Sequence, residues 1–261
     1  MTGHLARIGR ATARRLSVVG APARFAFDVA ASAPSLPGAG RRVTARVLLN
    51  QLRFTALQAV PLVILLGGIL SFVVIQMSVR ELGQVGATDL IGQLLVVSIV
   101  RLLGPLLTAI AVVGRSGTAI SAELATNAVL GEVRALEAIG IDPNHYLVLP
   151  RVLGCTVAVT LLIVLFDVVA LCGGFLAAGV EGMSGGRYLA SVLGALDLTD
   201  VLLTVLKGMS FGLIIGTLPS FHGLRVGRSP TEIPRAVIRG TVSSIVLIFV
   251  VTALFVVVFR A

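Results

Sequence analysis

Long apolar runs alternate with short polar segments along most of the chain. The runs cover residues 57–77, 91–113, 152–180, 201–221 and 240–259, and each contains at most one charged side chain. About 20 helical residues, each rising 1.5 Å, cross the roughly 30 Å hydrocarbon core of a bilayer. Because backbone polar groups in lipid must be satisfied within the segment, each run is predicted to be a helix. The pattern predicts an all-α integral membrane protein with five transmembrane helices.

The N-terminal segment, residues 1–53, is basic and contains nine arginines against a single acid. A helix over 43–57 would place arginines on one side and Val47, Leu48 and Leu52 on the other. Such a helix lies in the membrane interface, where arginine is attracted to the anionic cytoplasmic leaflet. We therefore predict an N-terminal interfacial helix. A disordered basic tail and an Arg-rich organelle transit peptide are the alternatives.

The charged residues are few and unevenly placed. They make up 13% of the chain, about half the share in soluble domains, and the net charge is +9. Nine basic residues precede the first run, three lie between the second and third, and four between the fourth and fifth, against three in the segments of the opposite side. This distribution predicts a cytoplasmic N-terminus. It does not form the basic face that a nucleic-acid site requires.

The segment between the second and third runs, residues 114–151, is too polar to span a membrane but has helical periodicity. Its apolar residues recur at spacings of three and four, at Val129, Val133, Leu136 and Ile139. The other faces of this helix carry charged residues, namely Glu132, Arg134 and Glu137. We predict a short amphipathic helix that lies across the membrane surface.

The end of this surface helix has recognisable capping residues. Gly140 is well placed as its C-terminal cap. Asp142 and Pro143 suit the N-cap and the first turn of the helix that follows. A helix held between two spans either transmits force from a cytosolic partner or is a passive connection, and the pattern leaves both open.

Three ionisable residues lie inside the apolar runs: Arg101, Asp167 and Lys207. Charges inside a membrane are costly and are functional candidates by default. Arg101 and Lys207 are therefore predicted to bind a lipid phosphate, which arginine does through two hydrogen bonds. The alternatives are a structural pair between Arg101 and Asp167, and a Lys207 side chain that extends to the membrane interface.

Small residues recur every four positions along the fourth run, at Gly208, Gly212 and Gly216. Small residues allow close approach of helix backbones in a membrane. These glycines are predicted to form either a dimer interface or a contact with another span of the same chain.

Several kinds of chemistry have no sequence support. A P-loop is missing, and the single lysine lies within the fourth run, so energy must come from a partner. The three histidines are scattered and give no metal-ligand spacing. No nucleophile lies beside an evident base. We expect no catalytic residues, no metal site and no cofactor in this chain.

Three stretches resemble the MlaE/YrbE permease family. The longest is ALEAIGIDPNHYLVLPRVL, from Ala135 to Leu153, and the second is GRSGTAISAE, from Gly114 to Glu123. The third comprises Lys207 to Gly212 and Phe221 to Arg225, which are similar to the fourth span of that family and its exit.

The resemblance implies a permease domain over 54–261, in an ABC transporter of the cell inner membrane that moves phospholipids or related lipids between that membrane and the outer envelope. It implies three protein partners: an ABC ATPase that binds ATP and magnesium, a periplasmic MCE-domain protein, and a second permease copy, identical or paralogous. It also implies that the surface helix is a coupling helix that docks on the ATPase.

One departure from the family pattern concerns Arg101. The family usually has Arg-Glu-Leu-Gly-Pro where this chain has Arg101-Leu102-Leu103-Gly104-Pro105. The missing acid predicts a cation that is freer to bind an anionic headgroup. An ATP-independent secondary transporter or channel for an amphipathic anion is the main alternative function, and a lipid-modifying intramembrane enzyme is a third.

Overall fold

The computed structural model describes residues Pro22, Arg24, Phe25, Val29, 52–84 and 90–259. Most of the interfacial helix predicted over 43–57, and most of the basic segment 1–53, lie outside these residues. In the described part all regular structure is helical, which confirms the predicted all-α class.

Seven helices can be followed through the described chain. They are α1 (Arg53–Gln84), α2 (Ile91–Leu130), α3 (Glu132–Ala138), α4 (Asn144–Val180), α5 (Gly185–Ala195), α6 (Leu198–Leu224) and α7 (Pro230–Phe259). Five of these, all but α3 and α5, are long and apolar enough to cross a membrane. The five predicted spans are therefore present, and each helix extends beyond its apolar run.

The bundle is centred on α4 and α6. Helix α4 packs against α1 on one side and α6 on the other, while α6 also contacts α7 and the second half of α2. The centre is filled by fully buried side chains such as Phe166 of α4 and Phe211 of α6. Helices α1 and α7 are mostly exposed in the single chain, with apolar side chains on their outer faces.

The short helices α3 and α5 lie at opposite ends of the bundle, because one span separates them in the chain. Helix α5 packs on the start of α2. There the Tyr188 hydroxyl donates to the carbonyl of Leu171 at 2.9 Å. Burial raises the pKa of Tyr188 to about 12, so its hydroxyl stays a neutral donor at ordinary pH.

The polar segment after the second run differs from its prediction. Helix α2 does not stop near residue 113 but continues to Leu130. A left-handed residue, Gly131 with φ of 85°, then separates it from α3. The predicted single helix through Val129 and Ile139 is therefore wrong, because this glycine ends one helix and begins the next. The predicted cap at Gly140 is confirmed by its φ of 79°.

Glycines 208, 212 and 216 fit against α4 of the same chain. A Cβ added at Gly208 would lie 2.8 Å from the Cα of Thr160, and one at Gly216 would lie 2.6 Å from the Cα of Val152. Gly212 lies in the same way against the backbone of Thr156. The prediction of a dimer interface on this face is wrong, because α4 already occupies it; the alternative of packing within the chain is confirmed.

Candidate functional site: a charge network among the spans

Arg101 of α2 forms an ion pair with Asp200 in the first turn of α6. The Arg101 Nε lies 2.7 Å from Oδ1 of Asp200, and Nη2 donates to Oδ2 at 3.2 Å. Both carboxylate oxygens therefore face the guanidinium. The Asp200 side chain is 3% exposed, whereas that of Arg101 is 28% exposed. The cation is thus the accessible member of the pair.

Asp200 is held in place by its own helix as well as by Arg101. Its Oδ2 accepts a hydrogen bond of 3.0 Å from the backbone N–H of Asp197. Asp197 is the N-cap of α6, and the two aspartates form a capping box. The position of the Asp200 carboxylate is therefore set by the start of the helix, independently of the arginine.

Lys207 lies two turns further along α6 and is 2% exposed. Its Nζ donates to the backbone carbonyl of Arg101 at 2.7 Å. In a regular α-helix this carbonyl would accept from the residue four positions later, but that residue is Pro105, which has no N–H. Residues Val96–Leu103 also form a widened, π-helical stretch of α2. The lysine therefore satisfies a carbonyl that the local sequence leaves without its usual donor.

Asp167 of α4 completes the network from the other side. Its side chain is buried, and it faces Thr204 and Lys207 of α6. Close approach to α2 is possible because residue 104 is glycine: a Cβ there would lie 2.8 Å from Oδ1 of Asp167. On α7, the ring of Phe255 lies 5.7 Å from the Lys207 Nζ and covers the lysine. Two cations and two carboxylates thus meet where four spans converge.

Several expectations about these residues need correction. The idea that Arg101 lacks an acidic partner is wrong, because Asp200 supplies one from another helix. The alternative pairing of Arg101 with Asp167 is also wrong, since Asp167 faces the lysine. A Lys207 that extends to the interface is excluded by its burial. The sequence did contain a signal for Asp200: Asp197 and Asp200 have the spacing of a capping box, just before the fourth run.

A second set of contacts lies at the α3 end of the bundle. Arg151 at the start of α4 is buried, forms a 2.7 Å ion pair with Glu123 of α2, and donates to the carbonyl of Leu147 at 2.6 Å. Arg115 hydrogen-bonds Gln58 of α1 through both the backbone and the side chain of that residue. These contacts attach the C-terminal half of α2 to α1 and α4.

Helix α3 itself has no buried residue. Glu132, Arg134 and Glu137 are exposed and Leu136 is half-buried. After Gly140, the Asp142 carboxylate accepts from the N–H of Asn144 at 2.9 Å, as an N-cap does, and Pro143 is buried. The predicted capping residues are therefore present, with Gly140 at the end of α3 and Asp142 and Pro143 at the start of α4.

A cavity of about 520 Å³ lies beneath α3. Its lining combines charged and aromatic residues of three parts of the chain, including Arg24, Glu137, Asp142, Phe221 and Arg225. The Arg225 guanidinium stacks 4.4 Å from the centre of the Phe221 ring, and the ring of Phe25 lies edge-on to that ring at 5.5 Å. Phe25, near the N-terminus of the chain, therefore contacts the C-terminal end of α6.

Comparison with known proteins gives a consistent result. The model of the family described as Permease MlaE matches residues 48–258. A probable ABC transporter permease protein of Rickettsia typhi is 30% identical over 244 residues, which cover 93% of this chain and 92% of the relative. Another probable ABC transporter permease, from Synechocystis, is 30% identical over 80% of each chain.

A plant protein is also similar over part of its length. The chloroplastic protein TRIGALACTOSYLDIACYLGLYCEROL 1 of Arabidopsis thaliana is 31% identical over 173 residues, which cover 66% of this chain and 49% of the plant protein. The family match spans most of the chain and includes all five long apolar helices. The chain therefore belongs to the MlaE permease family and is a multi-pass membrane permease.

Proposed function

We propose that this permease is the membrane-spanning subunit of an ABC transporter that moves phospholipids or related lipids between the inner membrane and the outer envelope. In this proposal the α3 end faces the cytoplasm and docks on a separate ATPase, which binds ATP and magnesium. A second permease copy and a periplasmic MCE-domain protein complete the transporter. The observation that carries the proposal is the match of residues 48–258 to the MlaE family.

The form of the α3 end supports an ATPase as its partner. Helix α3 is bounded by left-handed glycines at 131 and 140 and has no buried residue. Apolar side chains beside it are exposed as well, with Leu130 at 69% and Ile139 at 70%. An exposed apolar surface rimmed by charges is typical of a protein interface. The relatives named as ABC transporter permeases are consistent with such a partner.

The charge network supports a lipid as the transported molecule. Arg101 is a partly exposed cation within a predicted span, and exposed apolar side chains of α2 lie next to it, including Val97 and Leu102. An amphipathic anion, with a phosphate and acyl chains, matches this combination of a guanidinium and an apolar surface. The name of the Arabidopsis relative, which contains that of a glycerolipid, is consistent with a lipid.

The proposal is tested by reconstituting the purified complex into vesicles that contain fluorescent phospholipid. Lipid transfer to an acceptor is expected only with ATP and the ATPase subunit present. Transfer by the permease without ATP would instead show a secondary transporter or channel.

Two charge reversals locate the ATPase. Arg134→Glu on α3 is expected to reduce co-purification of the ATPase. Arg187→Glu on α5 is the matched control, because Arg187 is an exposed arginine at the opposite end of the bundle. Equal retention of the ATPase by both variants and the unaltered protein would contradict docking at α3.

A further inference from the structure

The Arg101–Asp200 pair joins an accessible cation to a carboxylate that is fixed elsewhere. Asp200 is buried and bound by the capping box of α6, so it stays in place whether or not the arginine is near. Arg101 has no such second anchor for its guanidinium among the described contacts, and more than a quarter of its side chain is exposed. If the pair opens, the arginine is therefore the partner that moves.

The surroundings of the pair show from which side a ligand would come. Leu198 and Val201 flank Asp200 in the first turn of α6 and are 73% and 56% exposed. Leu102, next to Arg101, is also exposed. The buried side of the pair is closed by Lys207, Asp167 and the spans that carry them. The exposed side of the pair is therefore bordered by apolar side chains, which suits the approach of a lipid headgroup with its acyl chains.

We propose that Asp200 is the resident counter-ion of Arg101, and that an anionic lipid headgroup binds by displacing it. This inference rests on the proposed lipid-transport function. The phosphate binds the Arg101 guanidinium in place of Asp200, because a guanidinium forms the same two parallel hydrogen bonds with a phosphate as with a carboxylate. Asp200 keeps its backbone hydrogen bond, so its unpaired carboxylate stays in position and binds Arg101 again after the lipid leaves.

This exchange gives Asp200 a role in specificity and release. Without a phosphate, Asp200 offsets the Arg101 charge. A lipid without an anionic group cannot displace the carboxylate. An anionic lipid binds less tightly than it would to a bare arginine, but it is also released more readily. Asp200 therefore acts through Arg101 as a positioning residue, without touching the lipid.

The test compares two aspartates of one capping box. Asp200→Asn removes the charge but keeps an oxygen that accepts from the N–H of residue 197. Asp197→Asn is the matched control, since it removes a carboxylate three residues away, and asparagine is an equally good N-cap. The purified complexes are analysed for retained phospholipid by phosphorus content and by headgroup class.

Asp200→Asn is expected to retain about fivefold more anionic phospholipid than the unaltered complex, as follows from removing a competing ion pair of ordinary strength. Its transfer of lipid to acceptor vesicles is expected to be slower. Asp197→Asn is expected to match the unaltered complex in both respects. Asp200→Glu, which keeps the charge and the capping box, is expected to do so as well.

Two results would overturn the exchange. One is an Asp200→Asn complex that retains no more anionic lipid than Asp197→Asn, while Arg101→Ala loses its lipid. Arg101 would then bind the lipid, but Asp200 would not compete with it. The other is a gain of lipid in Asp200→Glu equal to that in Asp200→Asn, since charge would then be irrelevant. If Asp200→Asn does not fold, Asp200→Ser provides a second neutral acceptor for the same comparison. If Arg101→Ala retained as much anionic lipid as the unaltered complex, Arg101 would not be a headgroup site and the exchange would be refuted. The proposed ATP-dependent transport would still be tested separately by the vesicle assay.

Discussion

The ammonium group of Lys207 donates a 2.7 Å hydrogen bond to the backbone carbonyl of Arg101. The contact joins α6 to α2 through a main-chain atom, so it depends on the path of the α2 backbone as much as on the lysine. That path is set by Pro105, which cannot donate to the same carbonyl. The lysine is therefore a structural member of the network, and the arginine is the member open to a ligand.

Replacing Lys207 by methionine is expected to destabilise the protein by about 1–3 kcal/mol, the usual cost of leaving a buried hydrogen-bonding group unsatisfied. The substitution leaves the Arg101 carbonyl without its donor and removes the cation that Asp167 faces. Unfolding in mixed micelles of denaturing and non-denaturing detergent measures the loss. In the double variant Lys207→Met/Asp167→Asn the loss should be smaller, because the unpaired charge is gone. A double variant less stable than Lys207→Met would contradict an electrostatic coupling between Asp167 and Lys207.

Pro105→Ala restores an N–H four residues after Arg101. This group would compete with the Lys207 Nζ for the carbonyl and would favour a regular turn over the widened stretch Val96–Leu103. Stability is expected to rise, by up to about 3 kcal/mol from helix propensity, while lipid transfer falls. Amide exchange of residues 99–106 would report the stiffer turn. A loss of stability with unchanged transfer would show that the proline does not shape the site.

The five spans could be predicted from the sequence because lipid demands long uncharged helices, and no other element competes for such runs. The end of α2 could not, since Gly114–Leu130 continues the second helix on tertiary contacts such as Arg151 with Glu123. For the site, the cations Arg101 and Lys207 were identifiable as charges within apolar runs. Their partners were not, because Asp200 and Arg101 are 99 residues apart and only the fold brings them together.

Gly212→Ala tests the close contact of α6 with α4. The added Cβ would meet the backbone of Thr156 and lie 2.8 Å from the carbonyl oxygen of Cys155, so the helices must separate. A loss of about 1–3 kcal/mol is expected in the same unfolding assay. Gly68→Ala on α1 is the control: among the described residues no atom outside its own turn of α1 lies within 4 Å of its added Cβ, and about 0.5–1 kcal/mol of stabilisation is expected. Both variants should keep the oligomeric state of the unaltered protein. If Gly212→Ala alone dissociated the oligomer, the glycine face of α6 would be part of a dimer interface.

A double-mutant cycle on Arg151 and Glu123 measures how firmly α4 is attached to the end of α2. Their 2.7 Å pair combines a buried arginine with a largely exposed glutamate, so a coupling energy of about 1 kcal/mol is expected. The variants are Arg151→Gln, Glu123→Gln and the pair together. Arg151→Gln should cost more than Glu123→Gln, because it also removes the donor to the Leu147 carbonyl. Strictly additive effects would mean that the pair contributes nothing.

Single cysteines at Arg134 and Arg187 test the orientation of the bundle. The background is Cys155→Ala/Cys172→Ser, which removes both natural cysteines. With a membrane-impermeant maleimide, Arg187→Cys is expected to react in intact cells, and Arg134→Cys only after the membrane is opened. This expectation follows from the excess of arginine at the α3 end. Labelling of both from one side would contradict a five-span bundle with α3 and α5 at opposite ends.

Helix α2 is long enough that a small change in its tilt moves its far end by several ångströms. From Arg101 to Leu130 it continues for 29 steps along the chain, with widened stretches up to Leu103 and at Val113–Gly117, and at 1.5 Å per step its length is at most about 44 Å. A rod of that length magnifies rotation: tilting it by about five degrees at one end shifts the other by about 4 Å. A tilt of that size near Arg101 would therefore move Leu130, at the other end of α2, by about the distance between two neighbouring Cα atoms.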